Sequence, residues 1–321
     1  MFMPDLKVPV HQFARKSIDF SRRVAVMAVI NRTPDSFFDA GSTFGLDAAV
    51  AAALRAVEAG ADWIDIGGVP FSPGPELAWQ EEAERVVPVI RAVRERSDVV
   101  ISADTFQPQV AQAAIDAGAD VINDTTGLAY PQLAEVVARN QVHLVITHSL
   151  AKPRTVYPRP HYDDVVCEVR DFLQQKVEVA LAAGIDASKI IIDPGHDLNK
   201  NTRHTLDITA RFDEIAALGY PALAAVSNKD FIGETLDLPK SERMVGSIVA
   251  ATMCAMGGAR IIRMHNVAES VQTARLIEAA QGWREPAYQI HNMGDVNPPA
   301  HPERAAQEQA AQEQAAQEQA G

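Results

Sequence analysis

Side chains able to do chemistry recur at the ends of short apolar runs in this chain of 321 residues. Asn31, Asp104, Asn123, Asp124, Thr147, His148, Asp193, Ser227, Asn228, Lys229, Arg263 and His265 stand at or just past the end of such a run, and Asp65 stands within one, ahead of Gly67-Gly68. Their types sort into two groups. Asp104, Asn123 and Asp193 offer carboxylate and amide groups, which can pair bidentately with the edge of a flat, donor-rich heterocycle as carboxylates do with guanidinium. Arg263, His265 and Lys229 offer cationic donors suited to an anion. The combination points to a pterin-like or guanine-like ligand. Any one of these residues could instead cap a helix or satisfy a loop amide; their joint placement is what argues for a site. Other chemistries lack their spacing. His148, His196 and His265 fall in different units with no HExxH or i,i+4 pairing for a metal. No serine stands in a GxSxG elbow, and neither GxGxxG nor GxxxxGK[ST] occurs.

The elements that must carry these residues follow from periodicity. Eight β-branched apolar runs, at 24–30, 62–67, 99–104, 120–123, 142–147, 189–193, 221–227 and 259–264, alternate with longer helical stretches. Helical runs 46–59 and 108–117 both lead into Gly-Ala-Asp, at 60–62 and 118–120, and a third run reaches Gly-Gly-Ala-Arg at 257–260. Glycine there is the expected helix C-cap. Eight βα units in one chain of this length predict a (β/α)8 TIM barrel, whose chemistry gathers at the C-terminal ends of the strands. The boundaries read as an N-terminal extension over 1–22, the barrel over 23–284, and a Pro-rich linker with a threefold AAQEQ tail over 285–321, whose repeats hold no branched aliphatic or aromatic side chain to pack. With 29 Lys+Arg against 42 Asp+Glu, the formal charge of −13 disfavours nucleic acid and anionic membranes as partners. Cys167 and Cys254 stand far apart without a CxxC, which suits a reducing compartment. No signal peptide or membrane span is evident, and the expected location is the cytoplasm.

Read together, Asn31-Arg32-Thr33-Pro34-Asp35-Ser36-Phe37, Asp65-Ile66-Gly67-Gly68, ISADTF (101–106), ADVIND (119–124), Asp193-Pro194-Gly195, Ser227-Asn228-Lys229 and Arg263-Met264-His265 resemble the dihydropteroate synthase family over roughly 24–280. The resemblance implies a homodimeric (β/α)8 transferase that condenses 6-hydroxymethyl-7,8-dihydropterin diphosphate with p-aminobenzoate, using Mg2+ and releasing diphosphate. It implies that Asp104, Asn123 and Asp193 hold the pterin, with Lys229 covering it, and that Asn31 coordinates Mg2+. Arg263 and His265 would grip the diphosphate, and Ser227 and Phe37 would lie near the aminobenzoate. Asp104, Lys229 and Asn31 would be the catalytic group. The dimer face would be formed by the helices at 239–257 and 267–280.

Four stretches depart from the family pattern. After Gly68 the usual Glu-Ser-Thr-Arg-Pro-Gly is Val69-Pro70-Phe71-Ser72-Pro73-Gly74, without the Thr-Arg pair expected to bind diphosphate. Strand one reads Asn-Arg-Thr where the family has Asn-Val-Thr, and strand seven reads Ser-Asn-Lys for Ser-Arg-Lys. The glycine- and phenylalanine-rich run after Asp-Pro-Gly is His196-Asp197-Leu198-Asn199-Lys200. From these follow the expectation that Arg32 replaces the missing loop arginine, against pairing of Arg32 with Asp35 or Asp39, and two alternatives to a synthase. One is a methyltetrahydrofolate-type methyltransferase, which the Ser227-Asn228 pair resembles. The other is a pterin-binding paralogue without synthase activity.

Overall fold

The β-branched runs form strands at the predicted places. In the computed structural model, which describes residues 1–32, 45–70, 74–151, 153–156 and 159–292, a short antiparallel hairpin of β1 (Val10–Gln12) and β2 (Ser17–Asp19) precedes eight parallel strands. These are β3 (Ala25–Asn31), β4 (Trp63–Gly67), β5 (Val100–Asp104), β6 (Val121–Asp124), β7 (His143–Thr147), β8 (Ile190–Asp193), β9 (Leu223–Ala224) and β10 (Ile261–Met264). Their order is β8-β7-β6-β5-β4-β3-β10-β9. A parallel bridge between Ile192 and Ala222 brings the two end strands together and closes the (β/α)8 barrel. The intervening helices are α1 (Leu46–Glu58), α2 (Trp79–Arg94), α3 (Pro108–Asp116), α4 (Pro131–Asn140), α5 (Val165–Ala182), α6 (Thr202–Ala210), α7 (Phe212–Ala216), α8 (Asp230–Leu236), α9 (Met244–Met256) and α10 (Val267–Ala280). Gly60, Gly118 and Gly258 take φ of 94°, 109° and 107° after α1, α3 and α9, the left-handed turn expected of glycine there.

Residues 1–22, set apart above as an extension, belong to the barrel's own unit, Met1–Ile277. Phe13, Ile18 and Phe20 pack with Met27, Trp63, Val100, Val121, Val145, Ile191 and Ile261 into one buried cluster, so the hairpin supplies part of the barrel's core. Burying such side chains is worth about 1.5–3 kcal/mol each. The remainder, Glu278–Gly321, is a second unit, and the AAQEQ tail lies outside the described residues.

Two predicted elements differ most from their sequence runs. Only Leu223–Ala224 of 221–227 pairs as a strand: its neighbour β8 ends at Asp193, followed by Pro194, which has no N–H to extend a ladder, and Gly195 at φ 68°. Run 239–257 divides into a 3-10 turn, Lys240–Glu242, and α9. Between them Arg243 folds back to donate to the carbonyls of Asn228 (3.1 Å), Lys229 (3.2 Å) and Leu238 (3.0 Å).

Candidate active site

Strand register lines up the proposed ring partners. Asn31 stands beside Gly67, Gly67 beside Asp104, and Asp104 beside Asn123. Beneath them Asp65, fully buried, accepts from three sides: Ser102 Oγ on Oδ1, and Asn123 Nδ2 (3.1 Å) and Arg263 Nε (2.7 Å) on Oδ2. Trp63 Nε1 donates to the same Ser102 hydroxyl at 2.8 Å. Arg263 Nη2 reaches Asp104 at 3.3 Å. Burial acts to lower the Arg263 pKa, but the Asp65 and Asp104 carboxylates outweigh it and hold the guanidinium charged. Burial, with Asp65 nearby, pushes the Asp104 carboxyl well above the usual range against the pull of Arg263. A carboxyl so placed can donate a hydrogen bond as well as accept one.

The loops after β8 and β9 complete the rim. Asp193 accepts from Gly195 N at 2.7 Å, and burial raises its pKa. Lys200, buried, donates to Gly195 O (3.0 Å) and Leu198 O (3.0 Å) and shares a 2.8 Å hydrogen bond with His148 Nδ1, although burial draws its pKa down to about 7. Lys229 Nζ donates to His196 O at 2.6 Å; burial lowers its pKa, opposed by Asp197 and Asp193. Ser227 Oγ and His265 Nδ1 lie 2.9 Å apart.

These elements enclose a cavity of about 380 Å³ lined by Asn31, Asp104, Asn123, Asp193, Ser227, Lys229, Arg263 and His265, a size suited to a small ligand. Four buried polar atoms of its lining, Asn123 Oδ1, Thr125 Oγ1, Thr147 Oγ1 and Asn228 Nδ2, have no hydrogen-bond partner among the described residues. Buried polar atoms are normally paired, so these walls offer both donors and acceptors to a polar ligand. A larger, more open groove of about 690 Å³ past Tyr162 and Phe172 shares none of these side chains.

Every predicted site residue that is described reaches the cavity except Arg32, which does not line it. Arg32 Nη1 instead donates to the carbonyls of Glu84 (3.0 Å) and Arg85 (2.6 Å) in α2. Phe37, Asp35, Asp39 and the centre of the loop after Val69-Pro70 lie outside the described residues. Sequence reasoning gave no role to Asp65, Asp197 or Lys200. A carboxylate between two isoleucines in an otherwise apolar strand was the available signal for Asp65; a buried charge there needs partners.

A closed (β/α)8 barrel with a polar pocket at the C-terminal ends of its strands defines the class. Residues 27–265 match the family described as pterin binding enzyme. "Inactive dihydropteroate synthase 2" of Mycobacterium leprae is 41% identical over 277 residues, covering 84% of this chain and 95% of the relative. The dihydropteroate synthase of Escherichia coli is 38% identical over 261 residues, covering 81% and 93%. The structure of Xanthomonas albilineans dihydropteroate synthase with 4-aminobenzoic acid superposes with a TM-score of 0.79 at 38% identity, covering 86% of this chain and 99% of that one. The chain belongs to the dihydropteroate synthase family of pterin-binding enzymes.

Proposed function

We propose that the chain is a dihydropteroate synthase-like transferase that condenses 6-hydroxymethyl-7,8-dihydropterin diphosphate with p-aminobenzoate. The observation that carries the reading is the single cavity shared by Asp104, Asn123, Asp193 and Lys229, with unpartnered polar atoms among its walls. The solved relative carrying 4-aminobenzoic acid supports the second substrate. In this reading Asp104, Asn123 and Asp193 bind the pterin edge and Lys229 covers the ring. The amine of p-aminobenzoate attacks the pterin methylene, the C–O bond to diphosphate breaks with its electron pair on the leaving group, and the amine loses a proton. Positive charge growing on the pterin draws Asp104 toward its ionised form, while Arg263 and His265 face the departing anion.

Mg2+ fits the residues present. Asn31 Oδ1 and Asp104 Oδ2 flank the space over Gly67, 3.6 and 3.7 Å from where a Cβ would stand, and Mg2+ is commonly held by one or two protein oxygens with substrate phosphates and water. Asn31 would hold the ion, which when bound neutralises charge on the diphosphate. Among the described residues no group of three or more His, Cys, Asp or Glu could hold a metal, so its affinity would depend on the diphosphate.

The homodimer in this reading uses α9, where Val245, Val249 and Met253 stand 68%, 53% and 48% exposed on one apolar stripe. Among the described residues no helix is long and apolar enough to cross a membrane; with both cysteines free, we assign the chain to the cytoplasm. A second reading, pterin binding without synthesis, is favoured by Val69-Pro70 where the Thr-Arg loop begins and by the relatives named inactive. A coupled assay of diphosphate release with Mg2+, with and without p-aminobenzoate, separates the two. Release that requires p-aminobenzoate and is lost in Asp104→Ala supports the synthase; pterin binding without release supports the second reading.

A further inference from the structure

The loop after β8 contains two non-glycine residues in left-handed backbone, Asp197 (φ 62°) and Asn199 (φ 52°), in the run where the family is rich in glycine. Such residues need their side chains to compensate for the conformation, and both do so by reaching into neighbouring loops. Asn199 Oδ1 accepts from Leu150 N (2.7 Å) and Ser149 Oγ (2.9 Å) beyond β7. Asp197 Oδ2 accepts from Asp230 N (2.6 Å) and Phe231 N (3.4 Å), the first amides of α8. Lys229, at the N-cap position of α8, makes no side-chain cap of its own, so a residue of another loop caps the helix. The tie is reciprocal, because Lys229 Nζ donates to the carbonyl of His196, next to Asp197.

We propose that Asp197 is a positioning residue for Lys229: anchored on the start of α8, its carboxylate fixes the loop from which Lys229 reaches the cavity and supplies the counter-charge that ammonium needs there. This rests on the reading of the cavity as a pterin site, and it concerns a residue that the family pattern does not supply. Lys229 is also faced by Asp193 from β8, by His196 and Lys200 of the loop beyond it, by Asp230 of α8, by Arg263 of β10 and, through its carbonyl, by Arg243 before α9. Arg243 Nη1 already engages Asp230 at 2.9 Å. Asp197 and Asp193 are therefore the carboxylates left to balance Lys229.

The test is the titration of Lys229 in the ligand-free chain, followed by NMR of isotope-labelled lysine, with its signal identified by loss in Lys229→Met. Asp197→Ala should lower the midpoint of Lys229 by about one pH unit or more. Asp197→Asn, which keeps an acceptor for the helix amides and tolerates left-handed backbone, should lower it as well. It carries the test if the alanine variant does not fold. Asn199→Gly, which loosens the same loop without touching the charge, should leave the midpoint in place. An unmoved Lys229 in both Asp197 variants, or an equal shift in Asn199→Gly, would overturn the proposal. In a second arm, calorimetry with 6-hydroxymethylpterin should give about tenfold weaker binding in Asp197→Ala, with Asp197→Asn between that and wild type. Failure of the wild-type chain to bind this pterin would count against the site reading, while the lysine titration would still decide the role of Asp197.

Discussion

Arg32 offers a sharp check, because the structure gives it a different task from the one its place in the sequence suggested. Helix α2 contains Pro88, which has no N–H, so the carbonyl of Glu84 one turn earlier loses its helical donor. Arg32 Nη1 supplies a donor at 3.0 Å, and the carbonyl of Arg85 accepts from the same nitrogen at 2.6 Å. Hydrogen bonds from charged donors are worth about 1.5–3 kcal/mol, and the low end applies where the acceptor is reachable by water. Arg32→Ala should therefore cost about 2 kcal/mol. In a Pro88→Ala background the new N–H returns to Glu84, and the cost of Arg32→Ala should fall by about 1 kcal/mol, above the scatter expected for independent sites. Urea unfolding of the four proteins at constant m measures this coupling. Affinity for pterin diphosphate should be unchanged in Arg32→Ala. Zero coupling would mean that the contact with Glu84 contributes nothing, and loss of affinity at full stability would return Arg32 to the diphosphate site.

Other outcomes follow from the same geometry. Asp65→Asn keeps the shape beneath the pocket but removes the anion that Arg263, Asn123 and Ser102 share; losing one partner of a buried pair costs about 3–5 kcal/mol, visible in urea unfolding, and pterin binding should weaken in calorimetry. His11 and His143 are buried with pKa values drawn down by burial from 6.5 to about 4 and about 2, so below pH 6.5 the unfolded chain binds protons that the native state refuses. Each histidine thus loses stability as pH falls, about 2 kcal/mol between pH 6.5 and pH 5. His143→Phe, in its stack 4.1 Å from Phe13, should lose about 2 kcal/mol less than wild type from pH 7 to pH 5; an identical pH dependence would refute the assignment. Val249→Glu on the exposed stripe of α9 should shift the chain to monomer in light scattering, and a mass unchanged from wild type would remove α9 from the interface.

The fold was legible because two signals agreed. Each of the eight β-branched runs coincides with a strand of the barrel to within a few residues, and glycines at the ends of three helical runs mark left-handed turns. What the runs could not convey was where a strand stops being paired, since β9 ends early through the geometry of its neighbour after Asp193. The hairpin was also hidden: three apolar side chains between Phe13 and Phe20 give too short a pattern to announce a place in the core, and only contact with Trp63 and the other strands reveals it.

At the site, residues at strand ends were readable because the barrel sends all such ends to one rim. Residues acting through others were not. Asp65 works from the middle of a strand, and Lys200 and Asp197 depend on loops that meet only in three dimensions. Arg32 shows the opposite case. Adjacent to Asn31 in sequence, it faces away from the cavity because neighbouring residues along a strand alternate sides, and the proline that gives it a partner lies in another element. Adjacency along the chain therefore predicts a shared rim but not a shared face, and a missing cation is better sought on residues two apart or on facing loops than on the next residue along.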